Sequence, residues 1–126
     1  MKIAVVYDSV SSEKLTAKVA EVIAKALREK GLDVTSVPVG DAKHLKIEEY
    51  DALVVGTPTM AWSPTKPIKE FLGALDAAKV KGKKAASFDT QMRSFISGNA
   101  NKAMESRLKE LGMVIACPHL LAYVKS

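Results

Sequence analysis

Cysteine, aromatic residues and long apolar runs are all scarce in this chain of 126 residues. The single cysteine, Cys117, excludes an internal disulfide framework and favours a reducing cytoplasm. No apolar run approaches the roughly 20 residues that span a bilayer, and the N-terminal residues lack a signal-peptide pattern. We therefore expect a cytoplasmic protein without a membrane segment, in which residues 1–126 form one domain around a single core.

The usual signatures of catalysis and nucleotide binding are missing as well. Neither histidine, His44 or His119, has metal-ligand spacing, and Cys117 has no histidine or asparagine arrangement around it. The chain contains no Gly-x-Gly-x-x-Gly sequence and no Walker-type loop. These absences favour a protein in which a bound ligand performs the chemistry.

Acidic residues are fewer than basic ones, and the net charge is +5. The basic residues are spread over residues 14–30 and clustered at residues 79–84, without interleaved aromatic residues or a nucleic-acid motif. We therefore expect solvated basic surfaces and no nucleic-acid binding. Such a surface would attract an acidic protein partner, with an association rate that falls as salt is added.

Alternating apolar patterns predict five strands with helices between them. The strands are predicted at 2–7, 32–39, 51–56, 83–88 and 113–117. The helices are predicted at 15–27, 67–78 and 100–111, with a short helix or turn within 41–50. Strands and helices that alternate over short connections predict an α/β fold, a doubly wound parallel sheet with helices on both faces.

One element of such a fold is absent from the pattern. With the usual strand order 2-1-3-4-5, a last helix packs beside the first, and residues 118–126 are too few for it. The sheet face over the fourth and fifth strands is then expected to lie open, which usually marks an interface. Leu120, Leu121, Tyr123 and Val124 are expected to cover part of this face or to pair with another chain, which predicts a symmetric homodimer.

Three predicted loops meet at the carboxyl edge of the sheet, where open α/β sheets bind ligands. The first follows strand one and carries four hydroxyls at or near a helix N-terminus, namely Ser9, Ser11, Ser12 and Thr16. Free N–H groups at that terminus, together with the hydroxyls, would suit a phosphate. The alternative is ordinary helix capping, which needs only one hydroxyl.

The second loop, residues 56–67, contains the only tryptophan of the chain, Trp62. Its indole is suited to stacking on a flat ring, while the backbone of residues 59–62 would reach the polar edge of that ring. Alternatively, Trp62 covers the open sheet edge or fills an interface. The third loop is predicted at 89–98, a length often associated with function, so that Asp89 and Thr90 would face the same crevice.

Over nearly its whole length the chain resembles flavodoxin-like proteins. Residues 56–72, Gly-Thr-Pro-Thr-Met-Ala-Trp-Ser-Pro-Thr-Lys-Pro-Ile-Lys-Glu-Phe-Leu, resemble the ring-binding loop and following helix of flavodoxins and flavodoxin-like quinone reductases. Residues 3–9, Ile-Ala-Val-Val-Tyr-Asp-Ser, resemble the first strand of that family and the entry to its phosphate loop. The resemblance implies a flavodoxin-like five-stranded sheet and FMN that is held non-covalently.

The resemblance also implies which residues contact the cofactor. The phosphate loop corresponds to Ser9, Ser11, Ser12 and Thr16, the first ring-flanking loop to Thr57, Pro58, Thr59, Met60, Ala61 and Trp62, and the second to Asp89, Thr90 and Gln91. Two features depart from the family's pattern: Ser12 replaces its phosphate-loop glycine in a loop about two residues longer, and the chain is basic where electron-carrier flavodoxins are acidic. A positive field predicts a less negative flavin potential than in those carriers.

The function that the resemblance implies is FMN-dependent electron transfer to a redox partner. Two alternatives stay open at this stage. One is an NAD(P)H-dependent FMN or quinone reductase of the same fold. The other is a flavodoxin-like interaction module that has lost FMN, which the altered phosphate loop would favour.

Overall fold

Short strands rich in valine, isoleucine and alanine form the centre of the molecule. The computed structural model describes residues 1–8, 15–58, 65–92, 100–115 and 120–124. The strands are β1 (Lys2–Tyr7), β2 (Asp33–Pro38), β3 (Ala52–Pro58), β4 (Lys84–Met92), β5 (Val114–Ile115) and β6 (Leu120–Val124). All of their pairings are parallel. The order β2-β1-β3-β4-β5 confirms the predicted doubly wound α/β sheet.

Helices connect these strands, as the alternating pattern predicts. They are α1 (Leu15–Glu29), α2 (Lys66–Ala74), α3 (Ala77–Val80) and α4 (Ala100–Glu110), with 3₁₀ turns at Val39–His44 and Ile47–Glu49. The prediction of one helix over 67–78 was wrong, because it divides into α2 and α3. Asp76 starts α3 as its N-cap, since its side chain accepts a hydrogen bond of 3.0 Å from the Ala78 N–H.

The two faces of the sheet have separate cores. On one face, Ile68 and Leu72 of α2 pack with Met104 and Leu108 of α4 over the centre of the sheet. On the other face, α1 buries its alanines over β1 and β4; the buried cluster there is Ile3, Val5, Ala20, Ala24, Val34 and Phe88. Among the described residues, α1 is the only helix on its face, and no helix follows β6.

The fifth strand position is occupied by two segments. Lys84 of β4 is paired with Val114 of β5, whereas Phe88 is paired with Leu120 of β6. Because β3 pairs with the other edge of β4, β5 and β6 lie along the same edge. The chain from Val114 to Leu120 is thus two residues longer than the facing part of β4, from Lys84 to Phe88. Leu120, Leu121 and Val124, for which the sequence predicts covering of the open face or pairing with another chain, pair with β4 as part of β6, together with Tyr123.

β4 is longer than its apolar pattern indicates. The predicted loop beginning at Asp89 was wrong, because β4 continues through Met92. Both neighbouring strands supply partners for this extension: β3 pairs Pro58 with Thr90, and β6 pairs Tyr123 with Gln91. Polar residues are therefore held in a central strand by backbone hydrogen bonding to both sides. Cys117, predicted in the fifth strand, lies outside the described residues.

Candidate functional site

The carboxyl ends of the three central strands lie side by side. Tyr7 of β1 is in register with Gly56 of β3, which is in register with Phe88 of β4. The Asp8 N–H, one residue beyond β1, donates a hydrogen bond of 3.1 Å to the Gly56 carbonyl. The chain reverses its direction of winding between β1 and β3, so a crevice is expected at this edge.

Of the four hydroxyl residues predicted to bind a phosphate, the structure describes Thr16. Thr16 lies in the first turn of α1 and its side chain is buried. N–H groups in the first turn of a helix have no intrahelical acceptor and carry a partial positive charge. The location of Thr16 is therefore suitable for binding an anion. Ser9, Ser11 and Ser12 lie outside the described residues.

Asp8 and Tyr7 add two polar groups to the end of β1. The Asp8 Oδ2 atom is buried and has no hydrogen-bond partner within the described part of the chain. An acceptor that lacks a donor is suited to a ligand that carries hydroxyl groups. Burial, with smaller contributions from Glu21 and Asp41, raises the pKa of Tyr7 above its ordinary value. The phenol therefore stays protonated at neutral pH and can donate a hydrogen bond.

The end of β3 depends on a glycine for a steric reason. A Cβ atom at Gly56 would lie only 2.0 Å from Cζ of Phe88, whose ring is buried under α1. Side chains cannot approach so closely, so the ring of Phe88 fills the space that any other residue at position 56 would need. Sequence reasoning identified Gly56 as the start of the loop but missed the part played by Phe88.

Two threonines flank the predicted ring-binding loop. The Thr65 N–H donates a hydrogen bond of 3.1 Å to Oγ1 of Thr57, and the two hydroxyl oxygens are 3.5 Å apart. Thr57 is 0% exposed and Thr65 is 6% exposed. Sequence reasoning missed Thr65, although the repetition of Thr-Pro at 57–58 and of Thr-Lys-Pro at 65–67 was a visible signal.

Four other residues predicted to flank the ring lie in strands. Pro58 is the last residue of β3, and Asp89, Thr90 and Gln91 belong to β4 instead of a loop. Pairing of Thr57 with Asp89 and of Pro58 with Thr90 brings the two predicted ring-flanking segments together at one edge. Thr59, Met60, Ala61 and Trp62 lie outside the described residues.

A second concavity lies beside α2. It occupies about 380 Å³ between the 3₁₀ turn Val39–His44 and α2, and Leu45, Phe71 and Leu75 form much of its apolar wall. The connection from β2 to β3, which contains the 3₁₀ turns Val39–His44 and Ile47–Glu49, forms one side of it. Its described lining contains none of the predicted site residues.

Metal and membrane sites find no support in the described part of the chain. Within it, no group of three or more histidine, cysteine, aspartate or glutamate residues is placed to hold a metal ion. None of the helices in the described ranges combines the length and the apolar character that a membrane crossing requires.

Comparison with known proteins identifies the family. The flavodoxin family model matches residues 5–125, and the chain therefore belongs to the flavodoxin family. The flavo-diiron protein FprA2 of Clostridium acetobutylicum is 39% identical over 85 residues, which are 67% of this chain. The match covers only 20% of that relative, so the chain spans about a fifth of its length.

Solved structures agree with this assignment. A flavodoxin from the domain Archaea superposes with a TM-score of 0.82 at 28% identity, and the match covers 98% of this chain and 85% of that one. The rubredoxin oxygen:oxidoreductase of Desulfovibrio gigas shares the fold at a TM-score of 0.80 and 21% identity, covering 99% of this chain and 31% of that one.

Membership of the flavodoxin family implies FMN as the cofactor of this chain. The described residues fit this cofactor. The buried Thr16 at the start of α1 suits a phosphate, and the orphan acceptor of Asp8 suits a hydroxyl of the ribityl chain.

Proposed function

We propose that this protein is an electron carrier that holds FMN at the carboxyl edge of its sheet and passes electrons to a partner protein. The observation that carries the proposal is the alignment of the ends of β1, β3 and β4, with the buried Thr16 and Thr57 beside that edge, in a chain that the flavodoxin model matches almost completely. FMN supplies the redox chemistry, and the protein binds and orients it.

In this proposal the residues have three roles. Hydroxyls and first-turn backbone N–H groups at the start of α1 bind the phosphate, Trp62 stacks on the flavin ring, and the ends of β3 and β4 present backbone groups to the ring edge. The phosphate residues are Ser9, Ser11, Ser12 and Thr16. The ring-flanking residues are Thr57, Pro58, Thr59, Met60, Ala61, Trp62, Asp89, Thr90 and Gln91. We further propose that residues 1–126 act as one domain in the cytoplasm.

Titration of the purified protein with FMN tests the proposal. The expected result is a visible flavin spectrum that shifts on binding, with quenching of flavin fluorescence. Trp62→Ala should weaken FMN binding by about 1–3 kcal/mol, the usual range for stacking on an aromatic side chain. Trp62→Phe is the matched control and should lose less affinity for FMN, because phenylalanine keeps an aromatic face.

Two outcomes would contradict these roles. A protein that stays colourless after incubation with FMN would contradict the carrier and favour an interaction module. An unchanged dissociation constant in the Trp62→Ala variant would show that the indole does not contact the ring. Rapid steady-state oxidation of NADH with a quinone as acceptor would instead favour a reductase of the same fold.

The charge of the chain supports an acidic redox partner. With a net charge of +5, the protein attracts a negatively charged surface over distances of about a Debye length, roughly 10 Å at 0.1 M salt. Mixing the reduced protein with an acidic redox protein in a stopped-flow instrument should give a rate constant that falls as salt is added. A rate constant that is independent of salt, or that rises with it, would exclude electrostatic attraction of this sign.

We also propose a homodimer that uses the face beside α1. Arg28 Nη2 donates a hydrogen bond of 3.0 Å to the Val34 carbonyl, which fixes one flank of α1 over β2. Val22, on the other flank, is 67% exposed. Val114 of β5 is in register with Lys84 on the α1 side of the sheet and is 55% exposed. Exposed apolar side chains of this size support an interface.

Sedimentation equilibrium tests the dimer. The wild-type protein should have twice the mass of the monomer. The double variant Val22→Asp, Val114→Asp should be monomeric, because dimer formation would bury the two introduced carboxylates. Ala78→Asp is the control. It adds a carboxylate at an exposed position of α3, on the sheet face opposite α1, and should leave the dimer intact. A monomeric wild-type chain at high concentration would refute the dimer.

A further inference from the structure

The positive charge of the chain is concentrated in two short segments. Residues 76–84 and 107–114 contain six basic and two acidic side chains, a net charge of +4 in a chain whose total is +5. The basic members are Lys79, Lys81, Lys83, Lys84, Arg107 and Lys109. The rest of the chain is therefore close to neutral, and we call the surface formed by these two segments the basic corner.

Two turns bring the segments together at the amino ends of β4 and β5. The Gly82 N–H donates a hydrogen bond of 2.8 Å to the Gly112 carbonyl, and the Val114 N–H donates one of 2.8 Å to the Lys83 carbonyl. A Cβ atom at Gly112 would lie 3.0 Å from Cγ of Lys81. The two segments consequently form one continuous surface of positive charge.

Two of the basic side chains in the corner serve the fold. Lys83 Nζ donates hydrogen bonds to two backbone carbonyls within residues 48–50. Arg107 Nε donates one of 3.0 Å to the Leu72 carbonyl, and its guanidinium lies 3.5 Å from a carboxylate oxygen of Glu110. Both cations add to the local positive field, but their positions are fixed by contacts inside the chain.

Three lysines, Lys79, Lys81 and Lys109, remain available to a partner. All three are exposed. Within the described part of the chain, their ammonium groups make no ion pair and no hydrogen bond. The partial negative charge at the C-terminus of α4, about half a unit, offsets only part of their charge.

The acidic side chains nearby leave these lysines unneutralised. Asp76 is engaged as the N-cap of α3, and Glu110 is paired with Arg107. Glu48 and Glu49 lie in the 3₁₀ turn that contacts α3, and among the described residues neither forms an ion pair with a lysine of the corner. The corner therefore keeps an excess of positive charge that acidic groups of another molecule can neutralise.

The basic corner is remote from the edge at which we propose that FMN binds. Asp89 lies five residues after Lys84, the first residue of β4, which is about 17 Å at roughly 3.3 Å per residue. Val80 and Leu108 place α3 and α4 on the sheet face opposite α1, so these helices also lie outside the proposed dimer face. A molecule bound beside them leaves both surfaces free.

We propose that the basic corner docks an acidic segment of a partner protein. Its three available cations are all lysines, which pair with carboxylates as flexible point charges. Surfaces that bind nucleic acids add aromatic or arginine side chains that stack on bases, and none of the three available positions carries one. The inference goes beyond the proposed function, because the docked segment does not reach the carboxyl edge of the sheet.

Binding of a fluorescein-labelled oligoglutamate peptide, measured by fluorescence anisotropy at low salt, tests this docking site. Two triple variants with the same change in net charge are compared. The first, in the corner, should bind the peptide about tenfold more weakly than wild type, because it loses three exposed ion pairs. The second, at exposed positions outside the corner, is the matched control and should lose less than about threefold. The corner variant is Lys79→Gln, Lys81→Gln, Lys109→Gln, and the control is Lys43→Gln, Lys66→Gln, Lys69→Gln.

Three outcomes would overturn the proposal. Equal losses in the two triple variants would mean that net charge alone accounts for binding. Failure of the wild-type protein to bind the peptide at low salt would exclude the docking site. Tighter binding of a double-stranded DNA oligonucleotide, with the same dependence on the three lysines, would replace the acidic protein segment by a nucleic acid.

Amide chemical shifts of the wild-type protein, measured by NMR, give a readout that needs no variant. On addition of the peptide the Gly82 and Gly112 resonances should move, since these glycines join the two turns of the corner. Movement confined to Gly56 and Thr57, at the carboxyl edge, would overturn the assignment of the site. Neither measurement involves FMN, so a protein that fails to bind FMN would contradict the proposed function and leave this inference standing.

Discussion

Replacement of Gly56 by alanine is expected to destabilise the folded protein by about 3 kcal/mol, the upper part of the usual range for overpacking a core. The added methyl group would lie 2.0 Å from Phe88 Cζ and 2.4 Å from Cε1. The ring cannot move away easily, because it is buried in the core under α1. Denaturation by urea, monitored by circular dichroism, measures the change in the free energy of unfolding.

Gly73 provides a matched control for this substitution. It lies within α2, is exposed, and has no atom within 4 Å of the position that a Cβ would take. Gly73→Ala should therefore stabilise the protein by about 0.5–1 kcal/mol through helix propensity alone. If Gly56→Ala lowers the free energy of unfolding and Gly73→Ala raises it, contact with neighbouring atoms decides the result at position 56.

A double-variant cycle tests whether Phe88 is the residue that a side chain at position 56 would clash with. Phe88→Leu removes the outer ring atoms, which are the atoms that a Cβ at Gly56 would meet. In that background the cost of Gly56→Ala should fall to less than about 1 kcal/mol, since interacting sites are not additive. An unchanged cost of about 3 kcal/mol would show that the ring of Phe88 is not the obstacle.

FMN is expected to stabilise the folded chain by about 4 kcal/mol when its free concentration is about 1,000 times its dissociation constant. Riboflavin, which lacks the phosphate, should give a much smaller effect at the same concentration. The reason is that riboflavin offers no anion to the hydroxyls and first-turn N–H groups near Thr16. Thermal unfolding with each ligand measures the difference.

Thr16→Val tests whether the hydroxyl of Thr16 contributes to this difference. The variant should lose part of the stabilisation by FMN and keep the whole effect of riboflavin, because only the phosphate is near α1 in the proposed arrangement. Thr35→Val, within β2 and distant from the carboxyl ends of the strands, is the control for loss of a threonine hydroxyl. Equal stabilisation of wild type by FMN and riboflavin would argue against a phosphate site.

Much of the architecture follows from local pattern. The apolar runs of β1 and β3, the helical spacing of α1 and α4, and the glycines at 31 and 112 with φ values of 85° and 81° are properties of short stretches of chain. Because the crossovers between parallel strands are right-handed, few strand orders are possible, and the order of the five-stranded sheet was therefore predictable. The predicted site segments begin at or near the ends of strands, and that pattern is also local.

The sequence by itself therefore determined the class of fold, most of its strands and helices and the order of the strands, and it predicts the edge at which a ligand would bind. The tertiary structure decided the length of β4, the addition of β6, the contact of Gly56 with Phe88 and the hydrogen bond between Thr65 and Thr57. Each of these depends on a partner that is remote in the chain or lies across a loop. Polar residues such as Asp89 and Thr90 remain in a strand because they are paired with strands on both sides, and local periodicity carries no information about such neighbours.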